Sequence, residues 1–348
     1  MPAIEIAGRA IGDGHPCFVI AEAGVNHNGD PRLAGELVRV AAEAGADAVK
    51  FQTFAAERLA TAAAPKASYQ VARTERDESA QAMLRRLELD RDDHVQLIAD
   101  CKSAGVMFLS SAFDEGSADM LDELGVDAFK VPSGEITNVS YLRHVAAKKR
   151  PLIVSTGMST LEEVEVAVAA IRETADVPFV LLHCVSLYPA PLAGTNLRAM
   201  ETMRARFGVP VGYSDHTEGL TAALAAVALG AAVIEKHITV DRALPGPDHA
   251  ASLEPDELRA LIQGIRGVES ALGDGVKRPL PEEAETAVVA RKSVVAATDI
   301  QAGAAIERDM LAIKRPGTGL PPAKLDWVVG RAARRAIPAG TVITEDMV

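Results

Sequence analysis

Short apolar runs alternate with amphipathic segments along most of the chain. Eight of the runs have the length and aliphatic composition of buried strands, and the segments between them repeat apolar residues with the period of a helix. Strands are predicted at Phe18–Ala23, Ala48–Phe51, Met107–Ser111, Ala128–Val131, Leu152–Ser155, Val180–Cys184, Val211–Ser214 and Val233–His237. The clearest helices are predicted at Pro31–Ala44, Asp92–Ala104, Ser117–Leu124, Leu161–Thr174 and Pro255–Leu272. Eight strand–helix units over about 250 residues predict an α/β fold, the (β/α)8 TIM barrel.

A doubly wound open sheet is the alternative architecture for this alternation. The first predicted strand is not followed by the Gly-x-Gly-x-x-Gly turn of dinucleotide-binding sheets. Several predicted helices run into a glycine directly before the next strand, as at Gly45, Gly105 and Gly125. Glycine tolerates the left-handed conformation that ends a helix, so these positions support regular strand–helix repeats.

The two ends of the chain have a different sequence pattern from the middle. Ile4–Ile11 alternates around Gly8, which predicts an N-terminal β-hairpin that covers one end of the barrel. Pro279 and Pro281 interrupt the helical pattern, and short apolar pairs then alternate with turns from Arg291 onward. The predicted division is a barrel domain over residues 1–273, a linker over 274–290 and a small domain over 291–348. A core built from about 60 residues is marginal alone, which suggests that the small domain packs onto a partner.

Composition narrows the class of protein. An apolar fraction of 48% supports a large core, and no apolar run approaches the roughly 20 residues that cross a bilayer. No secretory segment opens the chain, and the three widely spaced cysteines are typical of reduced thiols, so we expect a cytoplasmic protein. The net charge of −12 argues against nucleic acid as a partner. It leaves room for a small anionic substrate held by a local cluster of positive groups.

Two histidines occupy the same point of two consecutive predicted strands. His216 and His237 lie 21 residues apart, which is the length of one strand–helix repeat. In a barrel both imidazoles would project from the rim where the strands end, and there they can hold a divalent cation. The cysteines lack zinc spacing, so Mn²⁺ or Mg²⁺ is expected, with Asp215 and Glu235 close enough to orient the rings.

For a single histidine after a strand, a hydrogen-bonded structural role or acid–base catalysis is the alternative to metal binding. For His27 and His183 the sequence does not decide between these roles.

Other polar side chains also recur at the predicted strand ends. Lys50 and Lys130 lie inside apolar strands, where a lysine is unfavourable unless it is paired or binds an anion. With nearby serines they would form a cradle for a phosphate or carboxylate. Glu22, Glu135 and Glu235 are candidate catalytic carboxylates, and ion pairs with them are the alternative for the lysines. The further candidate binding residues at these ends are Gln52, Ser111, Ser133, Ser155, Ser186 and Ser214.

A loop rich in proline and glycine, Leu244–His249, follows the last predicted strand. It is interpreted as a lid or binding loop with Asp248 as its functional group, and a stiff turn is the alternative.

These motifs resemble the sialic acid synthase family, in its N-acetylneuraminate and legionaminate branch. The C-terminal segment around Lys314–Gly317 resembles that family's antifreeze-like (SAF) domain, so the resemblance runs the full length of the chain. The matching stretches are Ile20–Asp30, Lys50–Gln52, Lys130–Glu135, Ser155–Met158, His183–Pro189, Gly212–His216, Glu235–His237 and Gly246–His249.

The resemblance implies an enzyme that condenses phosphoenolpyruvate with N-acetylmannosamine, or a close N-acylated relative, to give N-acetylneuraminate and phosphate. It implies that His216 and His237 bind Mn²⁺ or Mg²⁺, and that Glu22 handles a proton or the attacking water. The positions that match phosphoenolpyruvate-binding residues are Lys50, Lys130, Ser133, Ser155 and Ser214.

The resemblance also assigns residues to the sugar. Tyr188 and Asp248 match sugar-binding positions. Arg315 matches an arginine that the SAF domain inserts into the neighbouring subunit's site, which implies a domain-swapped homodimer.

The identity of the sugar is less determined than the reaction. The sequence departs from the family mainly in Phe54–Leu87, which borders the sugar site. The alternatives are 2,4-diacetamido-2,4,6-trideoxymannose, which gives legionaminate, a 6-phosphorylated sugar, and the pseudaminate branch. No further basic cluster in the sequence points to a second phosphate. A non-catalytic carbohydrate- or ice-binding protein is the alternative from another class, and the retention of Glu22, Lys130 and both rim histidines argues against it.

Overall fold

The computed structural model describes residues 3–71, 74 and 78–348. The chain divides into two compact units, Met1–Gly273 and Asp274–Val348. Part of the stretch Phe54–Leu87, on which the choice of sugar bears, lies outside the described residues, namely 72, 73 and 75–77. None of the described helices is long and apolar enough to cross a membrane.

Eight parallel strands of the first unit form a closed barrel. Two short strands that pair antiparallel, β1 Ile4–Ile6 and β2 Arg9–Ile11, precede the barrel. The eight barrel strands are β3 Phe18–Gly24, β4 Ala48–Thr53, β5 Met107–Ala112, β6 Phe129–Val131, β7 Leu152–Ser155, β8 Phe179–Cys184, β9 Val211–Asp215 and β10 Val233–His237. Strands β3 to β10 are neighbours in chain order, and β10 closes the barrel against β3 with Val233 opposite Phe18. The predicted barrel is confirmed, and every predicted strand bound lies within two residues of the observed one.

Helices connect the strands and surround the barrel. In chain order they are α1 Pro31–Ala44, α2 Ala56–Leu59, α3 Ser68–Val71, α4 Ala80–Arg85, α5 Arg91–Ala104, α6 Glu115–Glu123, α7 Val139–Ala146, α8 Leu161–Thr174, α9 Ala199–Phe207, α10 Thr221–Ala228, α11 Pro255–Leu272, α12 Ala284–Ala290 and α13 Leu325–Val328. The bounds predicted for α1, α8 and α11 are those observed. Local capping explains this agreement at α1, where the Asp30 side chain accepts from the Arg32 N–H and Gly45 ends the helix at a φ of +87°.

Apolar side chains fill the lower half of the barrel. Ile20, Leu109 and Ile153 point into this layer, and Ile6 and Ile11 of the predicted hairpin β1–β2 pack against it from below. The hairpin therefore closes the end where the strands begin. Polar side chains inside the barrel are left to the end where the strands finish, which is the face that carries the sites of TIM barrels.

A buried ion pair joins the outer faces of β9 and β10. Tyr213 and Ile234 belong to the core between strands and helices, and Asp215 and Lys236 follow two residues later on the same side. The Lys236 Nζ lies 2.8 Å from Asp215 Oδ2, and the two side chains are 1% and 0% exposed. Asp215 therefore does not contact the ring of His216, and our prediction that it orients that ring is wrong, because alternation turns it to the other side of the sheet.

The second unit has its own small core. Strands β11 Ser293–Ala296 and β12 Leu311–Lys314 pair antiparallel, and isolated bridges such as Ile300 with Ile337 extend the pairing. Val294, Val328 and Ile343 are buried in this unit. Residues 274–290, predicted to be a linker, contain helix α12. The division into barrel, linker and small domain stays a prediction.

The Lys236→Met variant should lower the free energy of unfolding by about 3–5 kcal/mol, because it leaves Asp215 charged and buried without its partner. Chemical denaturation followed by circular dichroism measures this loss. The control is Lys148→Met, whose partner Asp119 is 51% exposed, and it should lose less than about 1 kcal/mol. Equal losses in the two variants would contradict a special role for the buried pair.

Candidate active site

Four charged side chains meet inside the barrel above its apolar layer. The Lys50 Nζ lies 2.6 Å from Glu22 Oε2 and 3.6 Å from Glu235 Oε2, and the Lys130 Nζ lies 3.5 Å from Glu235 Oε1. All four side chains are buried. The lysines therefore form the ion pairs that were the alternative to an anion site. These pairs converge on one point, however, so they do not exclude such a site. We call these four residues the charge cluster.

Serine hydroxyls add hydrogen bonds to the charge cluster. The Lys50 Nζ donates to Ser111 Oγ at 2.9 Å, and the Lys130 Nζ donates to Ser155 Oγ at 2.7 Å. Ser214 Oγ donates to Glu235 Oε1 at 2.9 Å. Each serine comes from a different strand, so parallel pairing brings them to one level of the barrel. An anion that enters here would meet two ammonium groups and several hydroxyls.

The pKa values of the two glutamates in the cluster are shifted in opposite directions. Burial raises the pKa of Glu22, and the charge of Lys50 offsets this only in part. Burial also opposes the ionisation of Glu235, but the charges of Lys130 and Lys50 outweigh it and lower that pKa. Glu235 is thus a permanent counter-ion for the lysines, and Glu22 is the carboxyl group that can gain and lose a proton near neutral pH.

The two rim histidines lie next to each other, with ring centroids 5.6 Å apart. His216 Nδ1 donates to the Val185 carbonyl at 2.7 Å, which leaves its Nε2 with a free lone pair. His237 Nδ1 is buried without a hydrogen-bond partner among the described residues. Burial lowers the pKa of both rings, so they are neutral at pH 7, which is the form that binds a metal.

This donor set fits a cation that takes only part of its coordination from the protein. Within the described ranges, no group of three or more histidine, cysteine or acidic side chains is placed to hold a metal. The carbonyl of Val185 fixes the ring of His216 in the way that outer hydrogen bonds usually orient metal ligands.

Gly24 links the charge cluster to the histidines. A Cβ atom at this position would lie 3.2 Å from Glu22 Oε1, 3.3 Å from Gln52 Nε2 and 3.5 Å from His237 Cε1. Its φ of +55° is also a conformation that side chains other than glycine rarely adopt. Only one side chain's width therefore separates the proton-carrying Glu22 from His237. This role of Gly24 could not be predicted from the sequence, because the contacts that require a glycine come from three different strands.

Tyr188 and Gln52 border the same space. The Tyr188 ring lies 4.2 Å from that of His216 and 5.8 Å from that of His237, between centroids. Gln52 Nε2 lies 3.4 Å from Glu22 Oε1. The candidate binding residues Tyr188 and Gln52 are thus beside the histidines and Glu22.

Ser133 and Ser186 both lie next to Gly157. Ser133 Oγ accepts from the Gly157 N–H at 3.0 Å and lies 3.1 Å from Cys184 Sγ. A Cβ on Gly157 would lie 2.3 Å from Ser186 Oγ, so there is no space for a side chain there. Cys184 is a contact that sequence reasoning missed, because a lone cysteine carries no spacing signal.

Several predicted site residues have other partners. Glu135 is half-buried and accepts from Asn138 Nδ2 at 2.7 Å, and its catalytic role stays a prediction. His183 Nε2 donates to the Thr195 carbonyl at 2.7 Å, and His27 Nδ1 accepts from the Gly29 N–H at 3.0 Å. Both histidines therefore make hydrogen bonds of the kind expected if their role is structural.

The loop Leu244–His249 is anchored through its last residue. His249 lies 2.7 Å from Thr239 Oγ1 through Nδ1 and 3.2 Å from Asn28 Oδ1 through Nε2. Asp248 next to it is buried, and burial raises its pKa to about 6. Arg315 lies in the second unit, and its role and the domain-swapped homodimer stay predictions.

Sequence comparison establishes the family. A sequence model described as the NeuB family matches residues 37–277, and one described as the SAF domain matches residues 291–348. The chain therefore belongs to the NeuB family and carries a SAF domain. The predicted family and the predicted SAF domain are confirmed.

Individual relatives are similar over nearly the whole chain. The N,N'-diacetyllegionaminic acid synthase of Legionella pneumophila is 47% identical over 336 residues, which are 95% of this chain and 94% of that protein. The synthase of the same name from Campylobacter jejuni is 45% identical over 94% of this chain and 99% of its own length. A crystal structure of N-acetylneuraminic acid synthetase from Leptospira borgpetersenii, in complex with citrate, has a TM-score of 0.72 at 35% identity, covering 82% of this chain and 94% of that one.

The Glu22→Gln variant should lose a protonated-carboxyl C=O band that persists in infrared spectra of the wild type at near-neutral pH. Glu235→Gln should shift the titration of this band to lower pH, because the Glu235 charge raises the pKa of Glu22. Glu123→Gln, a substitution in an exposed ion pair, is the control and should leave the band unchanged. A band that survives in Glu22→Gln would assign the proton to another group.

Proposed function

We propose that the protein condenses phosphoenolpyruvate with an N-acylated mannosamine-type sugar and releases phosphate, as a C–C bond-forming transferase. One observation carries the proposal: the charge cluster lies next to two neutral histidines. Only the space at Gly24 separates Glu22 from His237, and His216 lies beside His237. An anion cradle beside a cation site suits a reaction that joins an anionic enol ester to a carbonyl compound. Membership of the NeuB family supports the same reaction class.

Phosphoenolpyruvate is held by the lysines and hydroxyls. Lys50 and Lys130 bind the phosphate and carboxylate groups of the substrate, which compete for their N–H donors with Glu235, at 3.6 Å and 3.5 Å the more distant of the carboxylates. Ser111, Ser155 and Ser214 already lie against the cluster and orient its charged ends. Burial of the whole cradle strengthens these contacts, because the local dielectric is low.

The sugar aldehyde faces the histidines. His216 and His237 would hold Mn²⁺ or Mg²⁺, whose bound form supplies Lewis-acid polarisation of the aldehyde. Tyr188 and Asp248 hold the sugar from either side. Carbon 3 of the enol then forms the new bond to the aldehyde carbon. The aldehyde oxygen takes the proton of Glu22 and becomes a hydroxyl, which leaves Glu22 ionised for the next step.

Water adds to carbon 2, and phosphate leaves with cleavage of the C–O bond. Glu22 is the group that takes the proton from this water, because it can change protonation state near neutral pH. Gln52 lies within 3.4 Å of the Glu22 carboxylate and orients it. Glu235 stays ionised, and its charge raises the pKa of both lysines against the effect of burial, which lowers the pKa of Lys130.

For the sugar we propose 2,4-diacetamido-2,4,6-trideoxymannose, the legionaminate precursor, because the two bacterial relatives at 47% and 45% identity carry the name of that product. N-acetylmannosamine, which would give N-acetylneuraminate, is the second candidate, and the likeness to the Leptospira borgpetersenii structure favours it.

Phosphate release with phosphoenolpyruvate and Mn²⁺ should occur with one of these sugars, compared side by side at equal concentration. Faster release with the diacetamido sugar supports a legionaminate synthase, and faster release with N-acetylmannosamine supports a sialic acid synthase. Silence with both would contradict the proposal.

A glycine pair provides the matched variants for that assay. Gly24→Ala should abolish phosphate release, because its methyl group enters the space between Glu22, Gln52 and His237. Gly8→Ala has a similar positive φ but open space around it, so it should keep its activity.

The apparent KM for the sugar should rise as the pH falls below about 6, where Asp248 gains a proton and becomes a weaker hydrogen-bond acceptor for sugar hydroxyls. Asp248→Asn should have a high KM that does not change across this pH range. Asp256→Asn, on the exposed side of α11, is the control and should follow the wild type. A wild-type pH profile in Asp248→Asn would exclude this residue as the titrating group.

A further inference from the structure

The carboxylate of Asp248, which is proposed to bind the sugar, is not held in place by any side-chain partner of its own. Asp248 is 7% exposed, and among the described residues its carboxylate forms no hydrogen bond and no ion pair. Burial alone raises its pKa to about 6. A buried carboxylate without a partner is unfavourable, and its oxygens are free to accept hydrogen bonds from a ligand. Its position therefore depends on the backbone that carries it.

A short chain of hydrogen bonds holds that backbone. The carbonyl of Asp248 accepts from Ser252 Oγ at 2.7 Å, and Ser252 Oγ accepts from Asn26 Nδ2 at 2.8 Å. The direction of both bonds is fixed, because a carbonyl can only accept and the serine hydroxyl has a single hydrogen to donate. We call these two hydrogen bonds the Asn26 chain. Asn26 and Ser252 are both 1% exposed, so water does not compete for their donors.

Asn26 also binds the strand end that carries one of the rim histidines. Its other N–H donates to the Ile238 carbonyl at 2.8 Å. Ile238 follows His237 directly, and its own N–H donates to the Glu22 carbonyl at 2.8 Å. Asn26 Oδ1 is buried without a hydrogen-bond partner among the described residues, so the amide acts through its two N–H donors. One amide group therefore connects the backbone beside His237 with the backbone of Asp248.

The end of the loop Leu244–His249 has a separate anchor. His249 Nδ1 lies 2.7 Å from Thr239 Oγ1, and His249 Nε2 lies 3.2 Å from Asn28 Oδ1. These contacts do not involve the Asn26 chain. Loss of that chain should therefore displace the carboxylate without releasing the loop.

We propose that Asn26 is a positioning residue for the sugar, which through Ser252 sets the Asp248 carboxylate at a fixed place relative to His237. The inference rests on the proposed function, because that reaction assigns the sugar to Asp248 and its aldehyde to the rim histidines. A substrate held at two points reacts only if both are correctly placed, and a displacement of about 1 Å can lower the rate about a hundredfold. Asn26 has this effect through Ser252 and the backbone.

The first test is Ser252→Ala, which removes the Asn26 chain and leaves the hydrogen bond from Asn26 to Ile238. Phosphate release is measured with the sugar that gives turnover. The KM for the sugar should rise about three- to tenfold, the usual effect of one neutral hydrogen bond, and the KM for phosphoenolpyruvate should change less than about twofold. An unchanged KM for the sugar, or an equal rise in both KM values, would overturn the proposal.

The matched control is Thr174→Val. The Thr174 hydroxyl donates to the Ala170 carbonyl at 2.8 Å near the end of α8, on the side of the barrel where the strands begin. The variant loses the same type of hydrogen bond with little change of shape, so both KM values should match those of the wild type. A rise in the KM for the sugar as large as in Ser252→Ala would mean a general effect of lost stability and contradict a positioning role.

Asn26→Ala tests whether the two residues act as one unit. The double variant with Ser252→Ala should raise the KM for the sugar no further than the more affected single variant, because either change breaks the same chain. Effects that multiply would mean that Asn26 and Ser252 act separately, against the proposal. Ser252→Ala decides the question by itself if Asn26→Ala fails to fold.

A measurement without substrate separates this inference from the proposed function. The infrared band of the protonated Asp248 carboxyl is identified by its loss in Asp248→Asn. In Ser252→Ala the carboxylate gains access to water, so the band should titrate at a lower pH than the value of about 6 that burial gives it. An unchanged titration would show that Ser252 does not hold Asp248, and the proposal would fail. If no sugar gives turnover, the proposed function fails, and this titration still decides whether the Asn26 chain positions Asp248.

Discussion

The burial of Lys50, Lys130, Glu22 and Glu235 around one point is the constraint on which the rest of the barrel depends. Each charge is removed from water, and removal of one partner would leave another charged in a medium of low dielectric. The four residues come from strands β3, β4, β6 and β10, so only a closed sheet brings them together. Closure of β10 against β3 is therefore a condition for the site as well as for the core.

Strand alternation assigns each residue of β9 and β10 to one side of the sheet. Ser214 and Glu235 point into the barrel and bind each other, and the next residues, Asp215 and Lys236, form a second pair outside. A register shift of one residue would exchange the inner and outer pairs. The outer pair thus fixes the same register that places His216 and His237 at the rim. The inner pair and the outer pair therefore stabilise the same strand register.

The barrel and most of its rim were predictable from the sequence, because strand length, helix period and capping residues are local properties. The identity of the inward residues followed from the same alternation, as for Lys50 and Lys130. What could not be predicted depends on backbone groups and on packing between distant loops. The Val185 carbonyl that fixes His216 and the Thr195 carbonyl that binds His183 leave no trace in side-chain patterns. Proximity in sequence suggests that Asp215 orients His216, but strand alternation turns its side chain to the outer face, where it binds Lys236.

The proton on Glu22 connects catalysis to anion binding. With Glu22 protonated, two lysines face the single charge of Glu235, and the cluster has a net positive charge. The empty cradle therefore attracts an anion although it contains equal numbers of acidic and basic residues. An anion that enters adds negative charge near Glu22 and raises its pKa further. Substrate binding thus keeps the proton on Glu22 until the aldehyde oxygen takes it, and departure of the phosphate dianion at the end lowers the pKa of Glu22 again. The same carboxyl group senses whether the cradle is filled, because burial and the charge of Lys50 together bring its pKa to about 7.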